Sequence, residues 1–393
     1  MEVKELVNRR IEVLKDKLVE KGLDTAIIIK PENVFYFSNF NPVINSHPCF
    51  VIISVKKGAH LLVHSIRCDH AKEEGSLDNV QLYGKWGANI SLAMDPVDAI
   101  REILSHGPIK LGLELSDVNY KLYQDICTKL NISFIEDISV DVNMMRMIKD
   151  EYEISCARKS ADLVDIGVET TIKYLQEGYS EACASTEGQY QMRKTWSKLY
   201  SNTEICGFGT SEGGIIDSFH VWCLSNEHIA YGCDCPKHYI PMAGDISLPM
   251  AWAKVNGYHA ENERSIIVNK LDEKRDRAYK AMLEARQAVF DKMKPGITLE
   301  SLYFEAVELF TKYGFGDILP GRIGHGMGCS AHEFPSIGKG VKIPLTAGMI
   351  LTVEPGLMEK SWGGVRHSDT VLITENGYEL LTKINNKCII INK

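Results

Sequence analysis

Glutamate and histidine crowd into short segments between residues 258 and 370, several of them bounded by glycine. Tyr258-His259-Ala260-Glu261-Asn262-Glu263-Arg264 is one such segment. Gly324-His325-Gly326-Met327-Gly328, followed by His332-Glu333-Phe334-Pro335, is a second. Thr352-Val353-Glu354-Pro355-Gly356 and Gly364-Val365-Arg366-His367-Ser368-Asp369-Thr370 complete the set. Carboxylates and imidazoles brought together either hold a hard divalent cation or pass protons to a reacting group. Carboxylates without a metal take another cationic partner, and a planar guanidinium or amidinium gives them paired hydrogen bonds.

The elements that must carry these side chains are legible from hydrophobic periodicity. Residues 5–21 place Leu6, Val7, Ile11, Leu14 and Leu18 on one helical face and stop at Gly22. Short β-rich runs at 25–29, 50–55 and 60–64 follow, then helical patterns at 96–104 and 118–130 around a strand at 110–115. That alternation predicts a mixed α/β domain ending near residue 140. Helices over 150–175 and 180–199 come next, then strand-like runs between 201 and 268, with turns at Ala243-Gly244-Asp245 and Asn256-Gly257. Two more helices are predicted at 271–293, ended by Lys294-Pro295-Gly296, and at 299–313. Helices flanking an antiparallel sheet make the second part α+β.

A length of 393 residues exceeds what one core serves and predicts two domains. The formal charge of −8 argues against a nucleic-acid surface, which needs a basic face. No apolar run approaches the ~18 residues that cross a bilayer, so no membrane partner is expected. The opening Met-Glu-Val-Lys-Glu-Leu lacks the apolar core of a signal peptide, and the 11 cysteines show no C-x-x-C pair. A reduced, cytoplasmic location is the expectation.

Taken in order, these segments resemble the signature stretches of the pita-bread hydrolases, the family of prolidase, aminopeptidase P, methionine aminopeptidase and creatinase. The likeness covers about residues 145–385, with a weaker one at Asn33-Val34-Phe35-Tyr36-Phe37-Ser38. It implies a smaller α/β creatinase-type amino-terminal domain over 1–142 and an α+β pita-bread catalytic domain over 143–393. It also implies a homodimer in which the amino-terminal domain of one subunit closes the other's site, with Tyr36, His47 or Arg67 as contacts.

The metal-dependent members of that family hold two ions with two aspartates, a histidine and two glutamates. The resemblance puts those positions at Met250, Glu261, His325, Glu354 and Ser368. A thioether is a poor ligand for hard ions, and losing two anionic ligands opens the second ion's shell. No cofactor is therefore expected; if one ion is held, Glu261, His325 and Glu354 hold it.

Pro249-Met250 through Glu263-Arg264 is similar to the matching stretch of creatinase, which works without metal. That similarity implies that Glu263 and Glu354 grip a guanidinium group of the substrate. The competing reading is that Glu263 pairs with Arg264 or another basic neighbour. The creatinase base falls at Cys233, which leaves two options: His238 as acid–base, or the Cys233 thiolate as nucleophile beside a cationic histidine. A packed, inert cysteine is the third. His332 occupies the second histidine position of the family as a catalytic candidate. Glu261, His325, His259, Tyr258, Arg366 and His367 are expected to border the substrate.

The leading expectation is a metal-independent hydrolase of a C–N bond in a small, cationic amidine, guanidino or ureido compound, closest to creatinase and ectoine hydrolase. The alternatives are a metal-dependent Xaa-Pro dipeptidase or aminopeptidase with an altered site, and a non-catalytic binding module on the same scaffold. The last is disfavoured because the chain lacks the long acidic tails such modules use.

Overall fold

The computed structural model describes residues 2–104, 107–214, 217–231, 234–385 and 387–392. Two compact units emerge: Met1–Arg146 with Cys206–Asp217, and Met147–Ile205 with Ser218–Lys393. Among the described residues no helix is long and apolar enough to cross a membrane.

The first unit is built on six strands, β1 (Thr25–Ile28), β2 (Phe50–Ser54), β3 (Gly58–His64), β4 (Val80–Tyr83), β5 (Ile109–Leu113) and β6 (Ile132–Asp137), in the order β4-β3-β2-β1-β5-β6. β1 and β2 are buried along their whole length, as unbroken apolar runs at a sheet centre should be. Among the described residues, six α-helices belong to this part of the chain: α1 (Val3–Glu20), α2 (Pro31–Ser38), α3 (Cys68–Glu74), α4 (Pro96–Leu104), α5 (Tyr120–Lys129) and α6 (Ser139–Met147). α1 opens with a reciprocal capping box between Glu2 and Glu5 and buries the stripe from Leu6 to Leu18. The short α2 starts with Pro31 in its first turn and ends at Asn39, whose φ of 55° is the left-handed stop that asparagine tolerates. The segment Cys206–Asp217 groups with this unit, where Thr210 donates its N–H to the Val43 carbonyl at 2.8 Å. The boundary expected at residue 142 puts that stretch in the catalytic domain instead, because a long-range return of the chain leaves no local pattern.

The second unit carries an 11-stranded sheet. Its strands are β7 (His220–Ser225), β8 (Ile246–Val255), β9 (Tyr258–Arg264), β10 (Ile266–Val268), β11 (Arg322–Gly326), β12 (Glu333–Gly338), β13 (Ile350–Val353), β14 (Gly356–Glu359), β15 (Gly363–Ile373), β16 (Tyr378–Leu380) and β17 (Ile389–Ile391). The main path runs β12-β11-β13-β15-β9-β8-β10-β17, with β7 on β8 and β14 and β16 on β15. Helices α7 (Glu151–Gln176) and α8 (Glu181–Leu199) form one pair, and α9 (Glu273–Lys292) and α10 (Leu299–Lys312) the other. Ala251, Ala253 and Ala260 share a core with Ala157, Ala161 and Val164 of α7. Small residues on these strands let the helix approach closely. The second helix pair packs with Leu351, Val353, Val365 and Val371 in a separate cluster. This is the expected α+β catalytic fold, preceded by the expected smaller α/β domain.

A single turn sets the register of the central strands. Asn256 and Gly257 both have positive φ, 45° and 88°, the geometry of a two-residue hairpin that matches strand twist. It pins β8 to β9 with Val255 opposite Tyr258, which fixes every cross-strand partner further along.

Candidate active site

From that turn the register sets Trp252 opposite Glu261 and Met250 opposite Glu263. β15 continues the second row by placing Ser368 opposite Glu263, and β7 extends it with Trp222 opposite Met250. Cross-strand partners project to the same face, so Trp222, Met250, Glu263 and Ser368 stand side by side. Glu354 follows Val353, which pairs with Asp369, and its own N–H donates to the Ile323 carbonyl at 2.8 Å. A cavity of about 340 Å³ opens over this face. Glu261, Glu263, Glu354, Arg366, Arg322 and His332 supply its polar lining, and Trp222, Trp252, Met250 and Met358 its apolar wall.

His325 sits on β11 and is 1 % exposed. Its Nδ1 lies 3.0 Å from the Gly326 carbonyl, so that nitrogen carries the proton and Nε2 is left with a lone pair. Nε2 has no hydrogen-bond partner and faces Glu354 Oε1 at 3.5 Å and Glu261 Oε2 at 3.8 Å. Burial lowers the His325 pKa to about 4, which keeps the ring neutral. Glu261 is itself held at both oxygens: Ser368 Oγ donates to Oε1 at 2.6 Å and Trp252 Nε1 to Oε2 at 2.9 Å. Burial, with repulsion from Glu354 and Glu263, raises its pKa well above the carboxylate range. Ligating atoms of Glu261, His325 and Glu354 all lie within 4.8 Å of one another. An orphaned neutral imidazole nitrogen beside two buried carboxylates fits one divalent ion.

The other half of the site does not fit a second ion. Arg366 donates Nη2–H to Glu263 Oε1 at 2.7 Å and Nε–H to Oε2, a two-pronged pair with a carboxylate only 1 % exposed as a residue. Its Nη1 is 3.8 Å from Glu354 Oε2 and its Nη2 is 3.8 Å from the Met250 sulfur. Burial opposes the charge on Arg366, but Glu263 and Glu354 outweigh it and raise its pKa.

Strand alternation decides which remaining candidates reach the cavity. Arg366 and Ser368 face it, whereas His367 between them points the other way, fully buried, with its ring edge-on to Tyr279 at 5.8 Å. Its Nδ1 accepts from the Ser265 N–H at 3.1 Å. Tyr258 is packed edge-on against Tyr152 at 6.3 Å, and its carbonyl accepts from Ser160. His259 donates its backbone N–H to the Gly328 carbonyl at 2.8 Å. None of these three lines the cavity. His332 does, at the mouth, its ring tilted over His325 at a centroid distance of 4.2 Å. Partial burial and Arg322 lower its pKa. His238 is exposed and does not line the cavity; Cys233 lies outside the described residues. In the first unit Arg67 bonds His70 Nδ1 and the Asn41 carbonyl, the His47 ring meets that of His64 at a tilt with centroids 4.4 Å apart, and Tyr36 lies under Arg10.

Sequence reasoning missed five residues of the lining: Trp222, Trp252, Pro320, Arg322 and Met358. The alternation of Trp222 and Trp252 with buried Cys223 and Ala251 was the available signal. It also missed the clamp behind the site. Asp369, fully buried, accepts from Arg264 Nη2 at 2.5 Å and Arg286 Nε at 2.8 Å. Arg264 further donates to the carbonyls of Ser368 and Glu263, locking β15 to β9.

Residues 155–375 match the model of Metallopeptidase family M24, and residues 10–148 match that of the Creatinase/Prolidase N-terminal domain. The chain belongs to metallopeptidase family M24. An Xaa-Pro dipeptidase of Pyrococcus furiosus is 31% identical over 377 residues, which is 96% of this chain and 98% of the relative. A putative dipeptidase of Bacillus subtilis is 26% identical over 97% of this chain and 99% of its own length. The prolidase structure from Pyrococcus horikoshii superposes with a TM-score of 0.82 at 26% identity, covering 97% of this chain and 100% of that one.

These relatives overturn the expectation of a metal-independent amidinohydrolase and of a place in the creatinase branch. The physical reason is in the site. Glu263, assigned to grip a substrate's guanidinium, already holds the guanidinium of Arg366. The buried Glu261, His325 and Glu354 meanwhile make a metal-ready group within this M24 fold.

Proposed function

We propose that this M24 chain is a metal-dependent peptidase of the Xaa-Pro dipeptidase class, working with an altered metal centre. Near full-length likeness to proteins named as Xaa-Pro dipeptidases supports the substrate class. The observation that carries the reading is the unpartnered Nε2 of buried, neutral His325, turned toward Glu261 and Glu354.

A divalent ion, when bound by Glu261, His325 and Glu354, supplies positive charge that polarises a carbonyl and acidifies water. The chain's own groups do the rest. Ser368 and Trp252 fix the orientation of the Glu261 carboxylate, so a ligand is preset rather than recruited. Glu354, whose side chain is 10% exposed, borders both the ion's place and the cavity, where it takes the proton of the attacking water. That proton passes to the leaving nitrogen as the C–N bond breaks. His332 presents a ring N–H to the oxygen that gains charge. Arg322, exposed at the cavity wall, reads the free carboxylate of a dipeptide. Trp222 and Trp252, 6.1 Å apart and edge to face, form the wall for the amino-terminal side chain.

The test is hydrolysis of a panel of Xaa-Pro dipeptides by purified protein, chelated and then reloaded with Mn²⁺, Co²⁺ or Zn²⁺. Release of proline that disappears with chelator and returns with an ion is the expected result. No release from any dipeptide with any ion would overturn it.

A further inference from the structure

We propose that the centre takes one divalent ion per chain, because the Arg366 guanidinium, clamped by Glu263, permanently supplies the second positive charge of the site. This rests on the peptidase reading and specifies its metal centre.

Donor supply is the first argument. Among the described residues, Glu261, His325 and Glu354 are the one group of three or more His, Cys, Asp or Glu side chains with ligating atoms close enough to hold an ion. The remaining cavity carboxylate, Glu263, has both oxygens engaged by Arg366. Its row neighbours are Met250, a soft thioether, and Ser368, whose hydroxyl is donated to Glu261. Neither offers the anionic oxygen that a hard cation selects.

Charge is the second. Counting the buried and half-buried groups, the cavity face holds three ionisable carboxylates, Glu261, Glu263 and Glu354, against one guanidinium, Arg366; the other guanidinium of the lining, Arg322, is exposed and its charge is screened by solvent. Fully ionised, three negative charges and one positive leave two negative, which one divalent ion neutralises. A second ion would drive this enclosed site to net positive charge while Arg366 stood 3.8 Å from the shared ligand Glu354. Arg366 cannot leave cheaply, since Glu263 would then be a buried, unpaired carboxylate.

Metal content separates this proposal from the reading beneath it. Chelated protein is titrated with Mn²⁺ by calorimetry, and the dialysed complex is assayed for metal and protein by elemental analysis. One equivalent supports the proposal. Two equivalents with proline release overturn it and leave the peptidase reading standing; none, with no metal-dependent proline release, overturns both. Arg366→Ala removes a repelling cation and is expected to tighten Mn²⁺ binding about tenfold, whereas Arg366→Lys, which keeps the charge, stays within about threefold of wild type. Equal Mn²⁺ affinity in all three proteins would show that Arg366 does not act as the second charge.

Discussion

Glu263 and Arg366 form a two-pronged ion pair on the cavity face, between a methionine on one neighbouring strand and a serine on the other. The pair ties β9 to β15 and satisfies a carboxylate that would otherwise be stranded. It also closes the position to any guanidinium arriving from solution. A buried pair of this kind is costly to break from one side, because the surviving charge has no partner.

Guanidino acids should therefore fail to bind. In a thermal-shift screen, creatine-like and other guanidino acids at millimolar concentration are expected to leave the unfolding midpoint unchanged, since only a specific ligand raises apparent stability by mass action. A saturable rise with any of them would mean that Arg366 is displaced from Glu263.

Ser368 acts through Glu261. Ser368→Ala removes the 2.6 Å hydrogen bond that presets this carboxylate, and Mn²⁺ affinity should fall about 10–100-fold with the fold intact. Trp252→Phe, which deletes only the indole donor, is expected to weaken the ion in the same direction. Calorimetric titration reads both; unchanged affinity would remove these residues from the metal centre.

Asp369 is an anchor, and its effect should be visible in stability. Burial alone would raise its pKa, but Arg264 and Arg286 overcome that and hold it below the usual 3.8. A carboxylate with a depressed folded-state pKa contributes stability that is complete above about pH 4 and is lost as pH falls through its folded value. Asp369→Asn leaves two arginines short of their partner and should cost about 3–5 kcal/mol at pH 7, less at pH 3. Urea unfolding at the two pH values measures the difference.

Trp222 bears on selectivity. Trp222→Ala takes away one wall of the cavity and is expected to raise KM for dipeptides with large apolar amino-terminal residues about tenfold, while kcat changes little. A fall in kcat at constant KM would place Trp222 in the chemistry instead.

The fold was largely legible because its signals are local. Long amphipathic helices such as α7 and α9 declare themselves by period, and the Asn256-Gly257 turn by residue type. Short pieces such as α2 and β4 were not, since eight or four residues carry too little pattern. At the site, Glu261, His325, Glu354 and His332 were readable as chemistry-bearing residues. Which strand face each neighbour occupies was not: His367 and Ser368 differ by one residue and point to opposite sides. The partner of Glu263 was hidden for a different reason. Arg366 lies 103 residues away, and only the strand register brings the two together. Trp222 and Trp252 were hidden by context, because tryptophan in an apolar strand reads as core.

The most direct test of the central claim is proline release from an Xaa-Pro dipeptide by chelated protein as Mn²⁺ is added back in known ratio. Activity should start near zero, climb with added ion and level off at one equivalent per chain. Full activity in the chelated protein, undiminished and unaffected by added ion, would contradict the account.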